Sequence, residues 1–447
     1  MPACPAIVDG PVTTTIHPPL SLRADVVGHA AKRGLIPRTP TGERLLTDLE
    51  TWLTAEYADT IRSTRRRTLD DGTTELAIAL HPAAPDVRLT ADDAGRVTAS
   101  AETVMAGPGY HRFVGRVIER AGLEHAIAWG QSPDEAEQVP DGGLTFADRQ
   151  AVERTYLGWL GETLVDARSA LRIGDRHIHV GLPAGTRYRF EGAIATALGP
   201  RDTAWLDAAI ADPRVAIDIT PWWADATDGR YLLNRALCLM WLHVRWRPPA
   251  VDGEAETLDE VHKLLARAYP LEPTLPYPWA AWAEIVGIRQ IPGPIGREAV
   301  ARAASDPAPV PPIGFRRDDV IVTHEGWSLE IPGSFAERRS AEEWWGGGAG
   351  RSITMAATAT GTEYGAMSAR AFLDQVANDL GPDALHHEAG PIMGRARLTS
   401  DASSGLEVGV LEGYAAVIGS GAAIRIVYDD PADWQWAIDM WRSLAPA

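Results

Sequence analysis

The residues whose types and spacing can do chemistry fall into a few short runs. Gly107-Pro108-Gly109-Tyr110-His111 joins a strand-like run to a helical one. Two glycines let a backbone approach a ligand closely, and a helix start offers free N–H groups to an anion, with Tyr110 and His111 placed to assist. The plainer reading is a strand-to-helix turn with Tyr110 packed in a core. His177 and His179 alternate on a strand-like run and so share a face. Such a pair ligates a metal when a third group joins, and Asp218 or His243 are candidates. A solvated strand face beside Arg176 is the default reading, and no metal is expected. Pro221-Trp222-Trp223-Ala224-Asp225 follows a short strand-like run from Arg214 to Ile219. Its adjacent indoles form either a ligand platform or a packing element. Trp344-Trp345 runs into Gly346-Gly347-Gly348-Ala349-Gly350-Arg351, a partner-binding loop, a lid or a wide hairpin. Its glycines do not fit GxGxxG, because Arg351 stands where the last glycine is needed. His386-His387-Glu388 reads as a solvated turn. Asp429-Asp430-Pro431 reads as a helix cap, with a divalent-cation site from Asp429, Asp430 and Asp433 as its chemical alternative.

The familiar catalytic signatures are missing from this sequence. There is no GxxxxGK[ST], HExxH, GxSxG, kinase set or EF-hand loop. Two cysteines, Cys4 and Cys238, exclude a disulfide framework and a cysteine-ligated zinc or iron–sulfur site. Lysine occurs only at Lys32 and Lys263, which leaves two candidates for Schiff-base chemistry. No cofactor and no catalytic residue is assigned. The 447 residues carry 42 basic and 60 acidic side chains, a net charge of −18, which argues against a nucleic-acid footprint. The one basic run, Arg65-Arg66-Arg67, suits local ion pairs on a solvated face. No stretch is apolar enough to span a membrane and no signal peptide is evident, so the expected compartment is the cytoplasm. Sixteen tryptophans exceed the usual share and serve either cores or a binding surface.

The elements that must position these runs are legible in outline. A length prior of about 150 residues per domain gives two or three domains, and 45% apolar content supplies the cores. Residues 1–130 read as a small α+β unit: a helix from Thr39-Pro40 with Leu45, Leu46, Leu49, Trp52 and Leu53 on one face, strands at 74–80, 87–90 and 97–104, then a helix over 111–121. Residues 131–304 read as a mainly helical α+β unit that continues the first or stands alone. Its elements are a capped helix with Val152, Tyr156, Leu160, Thr163, Ala167 and Leu171 in one stripe, a strand over 177–182, and helices over 232–246, 258–268 and 279–286. Ser305 to Pro312 is a proline-rich linker. Residues 313–447 read as strands at 327–331 and 351–360, a helix capped by Ser368, strands at 396–400, 405–412, 415–419 and 422–428, and a closing helix. The fold class is multi-domain α+β, a helix-rich mixed region followed by an antiparallel sheet carrying helices.

The opening strand Trp327-Ser328-Leu329-Glu330-Ile331-Pro332, the mid-domain helix, the meander and the terminal helix from Asp433 to Leu444 resemble the PsbP-like superfold. That superfold includes photosystem PsbP proteins, the Ran-binding Mog-type transport factor and chaperones of type VI secretion effectors. The resemblance covers residues 318–445 and rests on element order rather than on a motif, so no functional residue is carried across. It implies an interaction domain whose partner is another protein. The expectation is therefore a non-enzymatic adaptor, or a subunit of a multi-component bacterial system, with no nucleic-acid or membrane partner. Gly107, Gly109, Tyr110, His111, Trp222, Trp223, Trp344, Trp345 and Arg351 are its candidate binding residues. The alternative is an enzyme with an anion- or metal-dependent site in the first 300 residues, using the 107–111 turn with His177, His179 or Asp218.

Overall fold

The computed structural model describes residues 23–31, 40–130, 148–173, 178–182, 186–188, 192–305, 311–340, 342–359, 361–362, 365–401 and 407–447. Cys4, His177, Arg176 and residues 306–310 of the proline-rich run lie outside them. The described residues form helices and sheets that are antiparallel apart from one parallel pair, in the multi-domain α+β pattern implied by the sequence.

The first sheet has six antiparallel strands in the order β2-β3-β4-β5-β1-β6. These are β1 (Arg23–Ala30), β2 (Ser63–Thr68), β3 (Thr74–Ala79), β4 (Val87–Ala91), β5 (Arg96–Glu102) and β6 (Ile127–Trp129). Helix α1 (Gly42–Glu56) and helix α2 (Pro108–His125) cover it, and Leu49, Leu53, Val114 and Val117 share one buried cluster with Ile78 and Leu89 of the sheet. The cap of α1 is Thr41 rather than Thr39, because the Thr41 hydroxyl accepts from the Arg44 N–H. Strand β2 carries the arginine run and shows no apolar alternation. Its side chains reach Asp86, Glu50 and Glu75, so it is held at the sheet edge by pairing and ion pairs.

A second core lies under helix α3 (Arg149–Arg172), where Val152, Tyr156, Leu160, Leu164 and Ala167 face inward. Asp148 caps it by accepting from Ala151 N–H. Against it lie β7 (His179–Val180), parallel to β9 (Ala193–Thr196), β10 (Gly199–Asp202) and helix α4 (Thr203–Ala211). Residues Val215–Ile219 form a 3-10 helix, not a strand. Pro213 and Arg214 carbonyls accept from Ala216 and Ile217, and the three-residue period buries Ala216 and Ile219 together. Helices α5 (Gly229–Leu242), α6 (Glu254–Leu271), α7 (Trp279–Arg289) and α8 (Pro294–Ala303) follow. The Asp228 cap starts α5 three residues earlier than the apolar run suggests.

Strand β8 (Thr186–Tyr188) pairs with β11 (Val320–His324), which pairs with β12 (Trp327–Ile331), and β12 takes the chain end β22 (Ala445–Pro446) on its other side. Pairing and packing thus cross the proline-rich run, and one contiguous apolar core extends from Ala24 through Trp282 to Leu444. The last sheet contains β13 (Ala336–Arg339), β14 (Trp344–Gly348), β15 (Arg351–Ala359), β18 (Leu385–Ala389), β19 (Ile392–Asp401), β20 (Val408–Val417) and β21 (Ser420–Tyr428). The order is β13-β14-β15-β21-β20-β19-β18, all antiparallel. A short hairpin, β16 (Gly361–Thr362) and β17 (Gly365–Ala366), precedes helix α9 (Ala369–Val376), and helix α10 (Trp434–Arg442) closes the chain.

Two strands expected at 405–412 and 415–419 are one, β20. Gly413 does not break it. It makes room for the Trp441 indole, which lies 2.7 Å from where a Cβ would stand.

Candidate functional site

The fold brings together two runs that lie more than a hundred residues apart in the sequence. The 107–111 turn and the 220–226 loop are joined by two backbone hydrogen bonds, Gly109 N–H to Trp222 O at 3.0 Å and Trp222 N–H to Ala106 O at 2.8 Å. A Cβ on Gly107 would lie 2.3 Å from Thr220 Cγ2, and one on Gly109 2.4 Å from Ala224 O. Gly107 also has φ 107°, outside the range of ordinary side chains. These glycines serve the approach of the second loop, and the α2 N-terminus faces protein backbone instead of an anion.

Behind the junction the expected chemical groups are core. Tyr110, His111 and Trp222 are buried. The Trp222 ring lies 4.1 Å from Tyr231, 4.9 Å from Phe113 and 5.9 Å from Tyr110, centroid to centroid, and His81 joins the same cluster. The Trp222 Nε1–H donates to Ala226 O at 3.2 Å. Burial pushes the Tyr110 hydroxyl well up, and the hydroxyl has no hydrogen-bond partner among the described residues. His111 Nδ1 meets Thr103 Oγ1 at 2.8 Å, and burial pushes its imidazole down to about 4. Neither group meets solvent, so a proton-transfer role at this turn has no substrate-facing atom.

The outward side of the same loop is different. A cleft of about 500 Å3 opens there, lined among others by Arg214, Asp218, Trp223, Arg230, Tyr231 and Asn234. Trp223 is half-buried and leans edge-on against Tyr156, ring centroids 6.0 Å apart. Asp218 accepts from Trp205 Nε1 at 3.2 Å and lies 3.6 Å from Arg201 Nε. Burial is the main influence on that guanidinium and lowers its pKa from the usual value. Asn234 donates its Nδ2 to Pro221 O at 3.1 Å, tying α5 to the loop. Arg230 and Asn234 stand four residues apart on α5 and therefore on one face. Sequence reasoning missed Arg214 and Arg230. The readable signal was polar interruption of the apolar α5 run, with Arg230 one turn ahead of Asn234.

The other candidates are consumed by packing. His177 lies outside the described residues. His179 is buried and its Nε2 accepts from Tyr188 N–H at 3.0 Å, so it does not present a free polar strand face. His243 Nε2 sits 3.3 Å from Pro82 O. Trp344 is fully buried and donates to Glu337 Oε2 at 3.0 Å, while Trp345 is half-buried with Arg338 5.3 Å over its ring. The glycine-rich run is neither a lid nor a loop. It is strand β14 and a tight turn at Ala349-Gly350, both with positive φ, and the glycines leave room for the Trp344 and Trp345 rings. Arg351 binds Asp433 with two hydrogen bonds of 2.7 and 2.5 Å and lies 4.7 Å over Trp436, pinning α10 to the sheet. Asp430 caps the turn before α10, as expected. His386 and His387 sit on strand β18 rather than in a turn, with the His387 ring 5.8 Å from Trp441. Among the described residues no group of three or more His, Cys, Asp or Glu is placed to hold a metal, and no helix is long and apolar enough to cross a membrane.

No family model matches the chain, and no match is found among curated proteins. A solved structure from Bacteroides thetaiotaomicron VPI-5482 is similar at a TM-score of 0.22 and 13% identity, over 27% of this chain and 45% of that one. This chain thus spans under half the length of that protein, and at such a TM-score the likeness fixes neither fold nor function.

Proposed function

We propose that this chain is a non-enzymatic protein-binding adaptor or subunit of a multi-component bacterial system, acting in the cytoplasm, and that it recognises its partner at the Trp223 cleft. The carrying observation is the contrast across one loop. Trp222 is fully buried in a core and only borders the cleft, while Trp223, half-buried against the second core, lines the open cleft together with Arg214, Arg230 and Asn234. The cleft volume falls in the range of ligand sites, and tryptophan and arginine are the residue types that dominate binding hot spots. The PsbP-like resemblance of residues 318–445 points the same way, since those relatives mostly bind proteins. A pull-down from native lysate compares wild type with Trp223→Ala and, as a control on another surface, Trp345→Ala. The reading expects a stoichiometric partner that is lost with Trp223→Ala and kept with Trp345→Ala. The opposite pattern would move recognition to the last sheet, and turnover of a co-purified metabolite that depends on Asp218 would replace binding by catalysis.

A further inference from the structure

We propose that the cleft takes an acidic polypeptide segment that carries an aromatic or branched apolar side chain among its carboxylates. This deepens the binding reading above and rests on it.

The charges of the cleft wall divide into committed and uncommitted groups. Asp218 is matched by Arg201 and accepts from Trp205. Asp228 caps α5, accepting from Tyr231 N–H at 2.9 Å at the positive end of that helix. Asp225, on the same loop, is held by Arg112 at 3.0 Å and Arg116 at 2.6 Å. Arg214 and Arg230 both line the cleft. Their backbone N–H groups donate to Asp212 Oδ1 at 3.0 Å and Glu272 Oε1 at 3.2 Å, while their guanidinium groups make no hydrogen bond or ion pair among the described residues. The two guanidinium groups are thus the charges of the cleft wall left with neither an ion pair nor a capping bond, on a chain whose net charge is −18. A guanidinium presents a rigid fork that matches a carboxylate with two parallel hydrogen bonds.

Two further features favour a polypeptide over a small anion. Val215, Ile217 and Trp223 give the cleft an apolar wall beside the cations, which suits a side chain flanked by carboxylates. Asn234 uses its Nδ2 on Pro221 O, and its Oδ1 accepts from no group among the described residues. An acceptor beside two cations does nothing for phosphate or a free carboxylate, but it suits a backbone N–H.

The test uses the full chain on an array of randomised twelve-residue peptides. Wild type is compared with Arg214→Ala/Arg230→Ala and with Trp223→Ala, and thermal melts establish that each variant is folded. The bound set is expected to be enriched in Asp and Glu around an aromatic or branched apolar residue. Its signal should fall at least tenfold in the double-arginine variant and should weaken as salt rises from 50 to 300 mM. A bound set without acidic bias, or one kept by the double-arginine variant while Trp223→Ala abolishes it, overturns the acidic ligand and leaves the binding reading standing. Full displacement by equimolar inorganic phosphate or citrate also overturns it, in favour of a small anion. Binding unaffected by every cleft variant, or no bound peptide at all, overturns both.

Discussion

Arg316 and Glu337 meet at 2.7 Å with only 5% and 9% of their side chains exposed, in the seam between α5 and the first strand of the last sheet. Arg245 reaches the same Oε1 at 3.1 Å, and the Trp344 indole donates to Oε2 at 3.0 Å. Arg316 also donates to the carbonyls of Leu242 and Gly333, and Arg245 to that of Phe335. One carboxylate thus ties together segments from either side of the proline-rich run. Burial raises the Glu337 carboxyl, but Arg316 and Arg245 outweigh it and hold the group below its usual range. The stability it contributes is present above the ordinary carboxyl value and is lost as pH falls through the depressed one. Glu337→Gln would leave two buried guanidinium groups short of charge. It is expected to cost about 3 kcal/mol in urea unfolding at pH 7, with the difference from wild type shrinking below about pH 4.

Gly109→Ala tests what the 107–111 turn is for. The added methyl would stand 2.4 Å from a backbone oxygen, where no flexible side chain can give way. A loss of about 2 kcal/mol or more is expected from overpacking. Millimolar phosphate should raise the melting temperature of neither protein. Protection of wild type alone would restore the anion reading.

How far the sequence carried depends on whether a feature is local. The one-faced stripes of α1 and α3, the Ser368 cap and the strand at 327–331 are local patterns of period and capping, and they hold. In α10, Ile438 and Trp441 face inward as the period implies, but Trp434, which the same period puts inside, is exposed. Glycine misled because its cause is the neighbour it makes room for. Gly346 and Gly347 accommodate the indoles of Trp344 and Trp345 two residues before them on the same strand, Gly413 accommodates Trp441, and Gly107 and Gly109 accommodate a loop met a hundred residues later. The tryptophan excess divided without a sequence signal: Trp222, Trp282, Trp327, Trp344 and Trp441 fill cores, while Trp223, adjacent to the first of these, faces the cleft. Adjacent residues on a loop point different ways, and only the loop path decides which one is buried. The cleft arginines carried no motif because their distinction is a guanidinium with no hydrogen bond or ion pair among the described residues, a property of the fold.

Cys238 is the inert thiol of α5. It is fully buried, and burial pushes its pKa far up, so the thiolate that reacts with disulfide reagents is suppressed. In a Cys4→Ser background, an aromatic disulfide reagent at pH 8 is expected to label nothing in buffer and one thiol in denaturing urea. Rapid labelling in buffer would mean that α5 opens readily in the native state.

His111 predicts a pH dependence of the opposite origin to that of Glu337. Its imidazole is held neutral down to about 4 by burial alone, whereas in the unfolded chain it takes up a proton near 6.5. The unfolded state therefore binds the extra proton between these values. Stability is complete above about pH 6.5 and falls as pH drops towards 4, by about 3 kcal/mol if the full shift is realised. His111→Asn keeps a polar atom for Thr103 but cannot titrate. Its unfolding free energy should start lower at pH 7, because packing is lost, and then decline less steeply than wild type between pH 6.5 and 5, by up to one proton. Urea midpoints at pH 7, 6 and 5 measure the two slopes. Equal slopes would mean that the buried imidazole is protonated in the fold as readily as outside it, and that the Thr103 contact holds a charged ring.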